Sequence, residues 1–521
     1  MGGAVTAMGA AGFVLIGCGG KSKQGGLLTP GPTGATGQPV RGGTLRTSYP
    51  ASILSLDPHN AEGLVTAADF YSYVIHATDW RGNVGDLAES WEMPDEVNWT
   101  FKIRNDVRFQ DVAPANGRAL VAGDIVKSYD RTKTMPGVPQ AWTDWIIGYS
   151  APDDHTFTLT TKDPRFAVLL TLGSPIAAII PVEAADNLNT QVVGSGPFML
   201  TDYRPNDGVS MVRNPTYYQD YPYVDGQSIK VITDDGTVQA AFRSGQIDVY
   251  NATTKPSADN VKDVSGASTQ KYLQRIYMTF ILNGSKLAAF KDERVREAVD
   301  LALDRNQMIE KLCFGDGELA GPIPPSGGNE ALPKEEIAAA YQRDVPKAKS
   351  LLSAAGAEGL QFTITFVSSA DQADLASLIK SNLAEAGITA DLAARDQGTW
   401  ISEYYGGSFE ATLMQQLPYL GSDFSLAFHQ TRGFSNSDAF YYGVDDPQVD
   451  SMIENAQTIL DEQQRINTWL DVQRLILKRH GPTLTLYQPY AYWVAMDFIK
   501  GYTPTANGFG LFKYDYWIDK G

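Results

Sequence analysis

The sequence predicts an α/β fold, and three stretches carry that expectation. Phe362 to Val367, Ala373 to Ala386 and Gly387 to Leu392 read as strand, helix and strand, an order that implies a parallel crossover unit. Lys291 to Leu312 reads as one amphipathic helix: Val295, Ala298, Val299, Ala302, Ile309 and Leu312 recur at helical spacing, and Asp292 and Glu293 lie in the first turn, where the helix dipole favours acids. Between Gly194 and Asp248 the period changes to two. Phe198 to Tyr203 and Val209 to Arg213 flank the turn Pro205-Asn206-Asp207-Gly208, as the arms of a hairpin do.

Composition narrows the function classes. The chain has 521 residues, enough for three or four units at about 100–200 residues each. A hydrophobic content of 43% can fill large cores, and a net charge of −18 with a pI near 4.7 argues against a nucleic-acid partner. Two cysteines, Cys18 and Cys313, make no disulfide framework, and Cys313 reads as a buried small hydrophobe at a helix end. The five histidines have no paired spacing, so neither a metal site nor a Cys–His nucleophile is expected, and no cofactor is expected. Glu89, Glu92, Asp95 and Glu96 could suit a carboxylate pair, but read as a solvated turn after Trp91. Gly194-Ser195-Gly196-Pro197 is a poor phosphate loop, because Pro197 removes a donor and a strand follows where a helix is needed. It reads as a tight bend, in which glycine tolerates positive φ.

Taken in order, Thr44 to Tyr49 alternates as a strand, Asp57-Pro58 marks a turn, and Val65 to Ala77 reads as a helix. Trp99 to Arg104 and Asp154 to Leu159 alternate as strands around a helix that starts near Leu120, with Lys127 to Arg131 on its exposed side. Ser228 to Thr233 is β-like, and Tyr272 to Asn283 reads as a strand. Gly321 to Pro333 is a Pro/Gly loop. Trp400 to Tyr405 begins a helix, Phe409 to Met414 is a strand, and Gln415 to Phe428 is polar, aromatic and irregular. Helices follow from Asp446 to Leu460 and from Glu462 to His480, then tyrosine-rich strands from Pro482 to Trp493.

Several of these stretches resemble the family 5 extracellular solute-binding proteins, the peptide-, nickel- and oligosaccharide-capturing receptors of ABC importers. Ser55-Leu56-Asp57-Pro58, Asp86-Leu87-Ala88-Glu89-Ser90-Trp91-Glu92, Gly194-Ser195-Gly196-Pro197-Phe198, Arg213-Asn214-Pro215, Asp292-Glu293-Arg294-Val295-Arg296-Glu297-Ala298 and Asp446-Pro447-Gln448-Val449-Asp450 fall on the family's pattern in the right order. The charges of the Lys291 to Leu312 stretch are read as the exposed face of its helix. The resemblance implies a bilobed periplasmic-binding-protein-like fold with an additional inserted domain. Residues 41–60, 190–270 and 496–521 would form lobe I, residues 61–189 the inserted domain and residues 271–495 lobe II. It implies capture of a peptide or oligosaccharide in an interlobe cleft, delivery to ABC transporter permease subunits, a monomeric state and no catalysis. Two other readings are a secreted, lipid-anchored hydrolase, which lacks a convincing nucleophile–base or carboxylate pair, and a ligand sensor or chaperone on the same fold.

Ala4 to Ile16 is apolar and too short to span a membrane. It leads into Leu15-Ile16-Gly17-Cys18, which resembles a lipobox, although no Lys or Arg precedes Cys18. Residues 1–18 are therefore expected to be a lipoprotein signal peptide, with lipidation at Cys18, and residues 19–40, rich in Gly, Pro, Ser and Thr, a flexible tether. The expected location is extracytoplasmic, anchored to the cell membrane. In the family's peptide receptors an Asp in the cleft meets the peptide's α-amino group. The matching segment here, Leu413 to Leu426, leaves Leu420 at that place, while Asp423 falls on a later acid or, with a shift of a few residues, at the site itself. The expected ligand-binding residues are Gln415, Gln416, Tyr419 and Asp423, with Tyr277, Trp400 and Tyr487 as walls, a set suited to a neutral hydroxyl- or amide-bearing ligand.

Overall fold

The computed structural model describes residues 38–60, 63, 66–79, 82–135, 145–189, 191–274, 276–416, 421–431, 441–502 and 516–520. The chain folds into two lobes. In the first, the hairpin strands Phe198–Arg204 and Gly208–Arg213 pair as expected, Gly226–Val231 continues the sheet antiparallel, and Thr44–Tyr49 closes it in parallel. An antiparallel sheet of Ala88–Glu92, Asn98–Ile103, Thr156–Thr161 and Ile146–Asp153 lies in the inserted region, backed by the helix Ala122–Thr134. One apolar core serves both: Leu45, Phe198 and Met211 belong to the same cluster as Phe101, Ile125 and Phe157.

The second lobe is built on a five-stranded mixed sheet. Gln361–Val367, the helix Ala370–Glu385 and Thr389–Arg395 form the expected crossover, with Gln361 opposite Thr389 in parallel register. Tyr277–Leu282 lies between Ala411–Gln416 and Thr483–Thr485. Phe280, Val299, Phe362, Ile379 and Leu413 fill its core, and a satellite core under the helices Pro447–Gln457 and Glu462–Arg479 gathers Ile453, Trp469, Val472 and Ile476.

Several expectations change. Val65 to Ala77 is not one helix but the short helix Ala67–Phe70 followed by the strand Ile75–Asp79. The stretch Lys291 to Leu312 breaks into Glu293–Ala302 and Arg305–Leu312. Asp304 causes the break: its carboxylate accepts the Gln307 amide at 2.9 Å as the second helix's N-cap, while its own amide donates to Asn382 Oδ1 at 2.8 Å. The charges there are only partly an exposed face: Glu293, Arg294, Glu310 and Lys311 are exposed, but Arg296, Asp300 and Arg305 are buried. Arg131 likewise turns inward and donates from Nη1 to buried Asp57 at 2.9 Å. Gly194 and Gly196 are glycines for close approach rather than for positive φ: a Cβ on either would lie 1.9 Å or 2.4 Å from the Phe70 carbonyl group. Cys313 is buried at the C-cap of Arg305–Leu312, and burial pushes its thiol up to about 12.

The chain passes between the lobes on neighbouring antiparallel strands. Ala267–Leu273 leads into Tyr277–Leu282, and Thr483–Thr485 leads into Tyr487–Met496, whose far end pairs with Val249–Ala252. Gln488, fully buried, pins the crossing: Nε2 donates to the Gln274 carbonyl at 2.6 Å and to Ser326 Oγ at 2.8 Å, and Oε1 accepts the Ser326 amide at 3.0 Å. Gln488→Leu leaves these partners unsatisfied, so denaturant unfolding should show a loss of about 1–3 kcal/mol.

Candidate functional site

Where the lobes meet, a turn of the first reaches onto helices of the second. After the strand Thr156–Thr161, the Thr161 hydroxyl donates to the Asp163 carbonyl at 2.7 Å and curls the chain into Asp163-Pro164-Arg165-Phe166. Arg165 Nη1 donates to Gln457 Oε1 at 2.5 Å, at the C-terminal end of Pro447–Gln457. The Arg465 guanidinium lies 3.4 Å from the centre of the Phe166 ring, a cation–π contact. Arg465 is itself 2% exposed and donates to the carbonyls of Ile459 and Leu460 at 3.2 Å and 3.3 Å.

Asp423 lies in the short helix Ser422–Ala427, entered through Gly421 at φ 91°, a left-handed conformation that suits glycine. Loss of water pushes its carboxyl up to about 6; the Phe424 amide and the Arg165 charge pull the other way, and the neighbouring Glu330 charge adds to the rise. Glu330 is buried, accepts a hydrogen bond from Ser422 Oγ, and takes the Gln473 amide on its main-chain oxygen at 2.7 Å. Burial lowers the Arg165 pKa, against the attraction of Asp423, Asp163 and Glu454. Burial likewise lowers that of Arg465, against Glu330, Glu462 and Asp423. Two guanidinium groups, one from each lobe, thus share the seam with Asp423 and Glu330.

The structure gathers part of the expected set. Tyr277 and Gln416 face each other across paired strands, and the buried Tyr277 hydroxyl donates to Gln416 Oε1. Gln416 Nε2 is buried without a hydrogen-bond partner among the described residues. Ser425, two residues from Asp423, lies near the Tyr277 phenol, and its own hydroxyl is buried without a hydrogen-bond partner among the described residues. Gln415, on the opposite face of its strand, is exposed. Trp400 sits in a core instead, stacked on Tyr404 at 5.2 Å and 7°, with its indole N–H donating to Thr412 Oγ1 at 3.0 Å. Tyr487 is buried in the core of the second lobe, where its strand pairs with Leu319. Tyr419 and Cys18 lie outside the described residues. Sequence reading missed Arg165, Phe166, Glu330, Gln457 and Arg465; the one cue for the first two was an Arg beside an aromatic just after a proline turn.

The middle-region profile of the bacterial extracellular solute-binding proteins, family 5, matches residues 83–438, more than half of the chain. The chain belongs to this family. It is 24% identical to the oligopeptide-binding protein AppA of Bacillus subtilis, over 96% of this chain and 93% of that protein. It is 25% identical to the periplasmic oligopeptide-binding protein OppA of Salmonella typhimurium, over 88% of this chain and 90% of that protein. Among solved structures, DppA of Helicobacter pylori in complex with the peptide STSA superposes with a TM-score of 0.80 at 22% identity, covering 92% of this chain and 99% of that one. NikA of Brucella suis in complex with Fe(III)-EDTA gives 0.76 at 22% identity, covering 92% and 100%. These likenesses establish the bilobed binding-protein fold. No helix among the described residues is long and apolar enough to cross a membrane, and no group of three His, Cys, Asp or Glu residues among them is placed to hold a metal.

The raised Asp423 pKa sets a pH window for this solute-binding protein. Unfolded, the carboxyl ionises near 3.8; folded, it does so near about 6. Between these values the folded state keeps a proton that the unfolded state has lost, so the contribution of Asp423 to stability declines as pH rises through the window. Asp423→Asn should therefore stabilise the protein more at pH 7 than at pH 4 relative to wild type. Denaturant unfolding at both pH values measures this, with the Asp423 carboxyl titration followed by NMR.

Proposed function

We propose that this solute-binding protein is the extracytoplasmic receptor of an ABC importer. It captures a peptide-like or oligosaccharide ligand at the interlobe seam and delivers it to membrane permease subunits, with no chemistry of its own. The observation that carries this reading is Arg165 crossing from one lobe to hydrogen-bond Gln457 of the other, beside Asp423. Such contacts exist only when the lobes are close, so they tie ligand capture to closure. In this reading residues 41–60, 190–270 and 496–521 make lobe I, 61–189 the inserted domain and 271–495 lobe II, with the paired strands Ala267–Leu273 and Tyr487–Met496 joining the two lobes. The names of AppA and OppA favour the peptide-like ligand.

The charges bear on which end of the ligand is held. Arg165 supplies a cation to Asp423 from the protein itself, so the site does not need a ligand ammonium. Tyr277, Gln416 and Tyr419 would then serve a neutral ligand, such as an oligosaccharide or a peptide with a blocked amine, while Gln415 faces away from them. One observation favours a second reading: the Asp423 carboxyl still lies up at about 6, so Arg165 compensates it incompletely and a ligand ammonium would be welcome. Calorimetry with free peptides, N-acetylated peptides and oligosaccharides, on wild type and Asp423→Asn, separates the two. The neutral-ligand reading expects acetylated peptides or oligosaccharides to bind at least as tightly as free peptides and the variant to retain them. Tight binding of free peptides, lost on acetylation and in the variant, establishes the amine clamp instead. In either case saturating ligand should raise the melting temperature, by the equivalent of about 2.7 kcal/mol at a hundredfold excess over Kd, and shrink the scattering radius. Conversion of the ligand to a product would overturn the receptor reading.

Anchoring is the remaining part of the proposal. Leu15-Ile16-Gly17-Cys18 ahead of a Gly/Pro-rich tether supports lipidation at Cys18, which would hold the receptor at the membrane. Expressed with a functional export signal, the protein should fractionate with membranes and Cys18→Ser should be released; equal retention of both would sink the idea.

A further inference from the structure

Lobe II holds a cavity of about 450 Å³ apart from the seam, between the start of the helix Pro447–Gln457 and the end of Glu462–Arg479. Two of its lining groups have hydrogen-bonding capacity that the fold does not use. His429 is 7% exposed, and neither ring nitrogen has a hydrogen-bond partner among the described residues. Burial pulls its pKa down to about 3, so the ring is neutral and offers one donor and one acceptor. Leaving such groups unmade is costly, which makes the position informative. Arg296 is 4% exposed. Its Nε donates to the His480 carbonyl at 2.6 Å and its Nη1 to the carbonyls of Phe290 and Lys291, both at 2.9 Å. Nη2 donates to nothing among the described residues, and none of their carboxylates pairs with this guanidinium within the 4.0 Å of an ion pair.

The opposite sign lies at the rim. Glu293 and Asp445 are exposed there, whereas Asp446 is engaged by Arg479 at 3.5 Å. Val444, Val449, Ile476 and Pro482 supply an apolar wall. A phosphate dianion would meet Glu293 and Asp445 as well as Arg296, whose guanidinium already feels the charges of Glu293, Asp292 and Asp446, so it suits the cavity poorly. A molecule with a negative end, a positive end and an apolar side suits it well. The volume is within the usual range for a small-molecule site.

We propose that this cavity binds a small zwitterion of the amino-acid class, its carboxylate on Arg296 Nη2 and His429, its ammonium toward Glu293 and Asp445, and its side chain on Val449 and Ile476. The site is separate from the interlobe seam and does not depend on what the seam binds.

The test uses the full chain labelled with ¹⁵N-histidine and three probes: L-leucine, L-leucinamide and N-acetyl-L-leucine. L-Leucine should shift the His429 imidazole resonances saturably. L-Leucinamide, which cannot pair with Arg296, should bind roughly tenfold or more weaker, the effect of losing a charge-assisted hydrogen bond. Glu293→Gln, at an exposed position, should weaken L-leucine severalfold and leave N-acetyl-L-leucine unchanged. Asp423→Asn should leave the His429 response as it is, which separates this cavity from binding at the seam. No change at His429 with saturating L-leucine, equal affinity for L-leucine and its amide, or no loss in Glu293→Gln would each overturn the proposal.

Discussion

Gln488 has no exposed surface where the chain passes from one lobe to the other, and its side-chain hydrogen bonds among the described residues go to Gln274 and Ser326. A buried amide in that position would be destabilising unless satisfied, so its partners fix the separation of the crossing strands. Its own strand, Tyr487–Met496, pairs with Gly317–Leu319 at its start and with Ala267–Leu273 from Tyr490 onward. The chain leaves one sheet for the other just after Leu273 and between Thr485 and Tyr487.

The buried charges inside the lobes behave differently from those at the seam. Asp86 accepts the Tyr73 amide at 2.8 Å and Gln219 Nε2 at 3.0 Å, accepts a hydrogen bond from Tyr218, and pairs with His76 at 3.2 Å. Asp300 is held between Arg305 and His480, and its pKa stays below the usual carboxylate range although it is buried. These carboxylates have complete sets of partners, so removing one partner would leave an uncompensated charge. Asp423 is pushed the other way, because Arg165 and one main-chain amide do not offset its loss of water and the nearby Glu330. Incomplete satisfaction at the seam, beside full satisfaction in the interiors, is what a surface awaiting a ligand would require.

Much of the fold was legible in the sequence, because its signals are local. The hairpin at Gly208, the crossover from Gln361 to Arg395 and the helix Glu462–Arg479 each follow from period, turn residues and caps within one short window. The site was far less legible. Gln416 and Asp423 enter through the segment that resembles the family's cleft stretch and Tyr277 as one of three expected aromatic walls, and nothing in the sequence separates Tyr277 from Trp400, which sits in a core. Its stacking on Tyr404 and its hydrogen bond to Thr412 depend on the packing of three elements. The seam is worse still, since Arg165 and Gln457 are 292 residues apart and no periodicity links them.

The stretch Lys291 to Leu312 shows how one local misreading hides chemistry. As a continuous helix, its charges fall on a single outward face and need no partners. Asp304 ends that continuity by capping a new helix, and the turn at Leu303 lets the second segment leave in another direction. Asp300 and Arg305 then meet inside the lobe, and Arg296 is drawn under the carbonyls of Phe290 and Lys291. An Asp followed by a good helix former is an N-cap signal as well as a tolerable helix-interior pair, and apolar periodicity alone cannot choose between them. Asn382, on a distant helix, accepts the Asp304 amide and so supports the cap that Asp304 makes. Tertiary structure thus decides whether three charged residues are surface or interior, and with them whether Arg296 reaches solvent or faces a cavity.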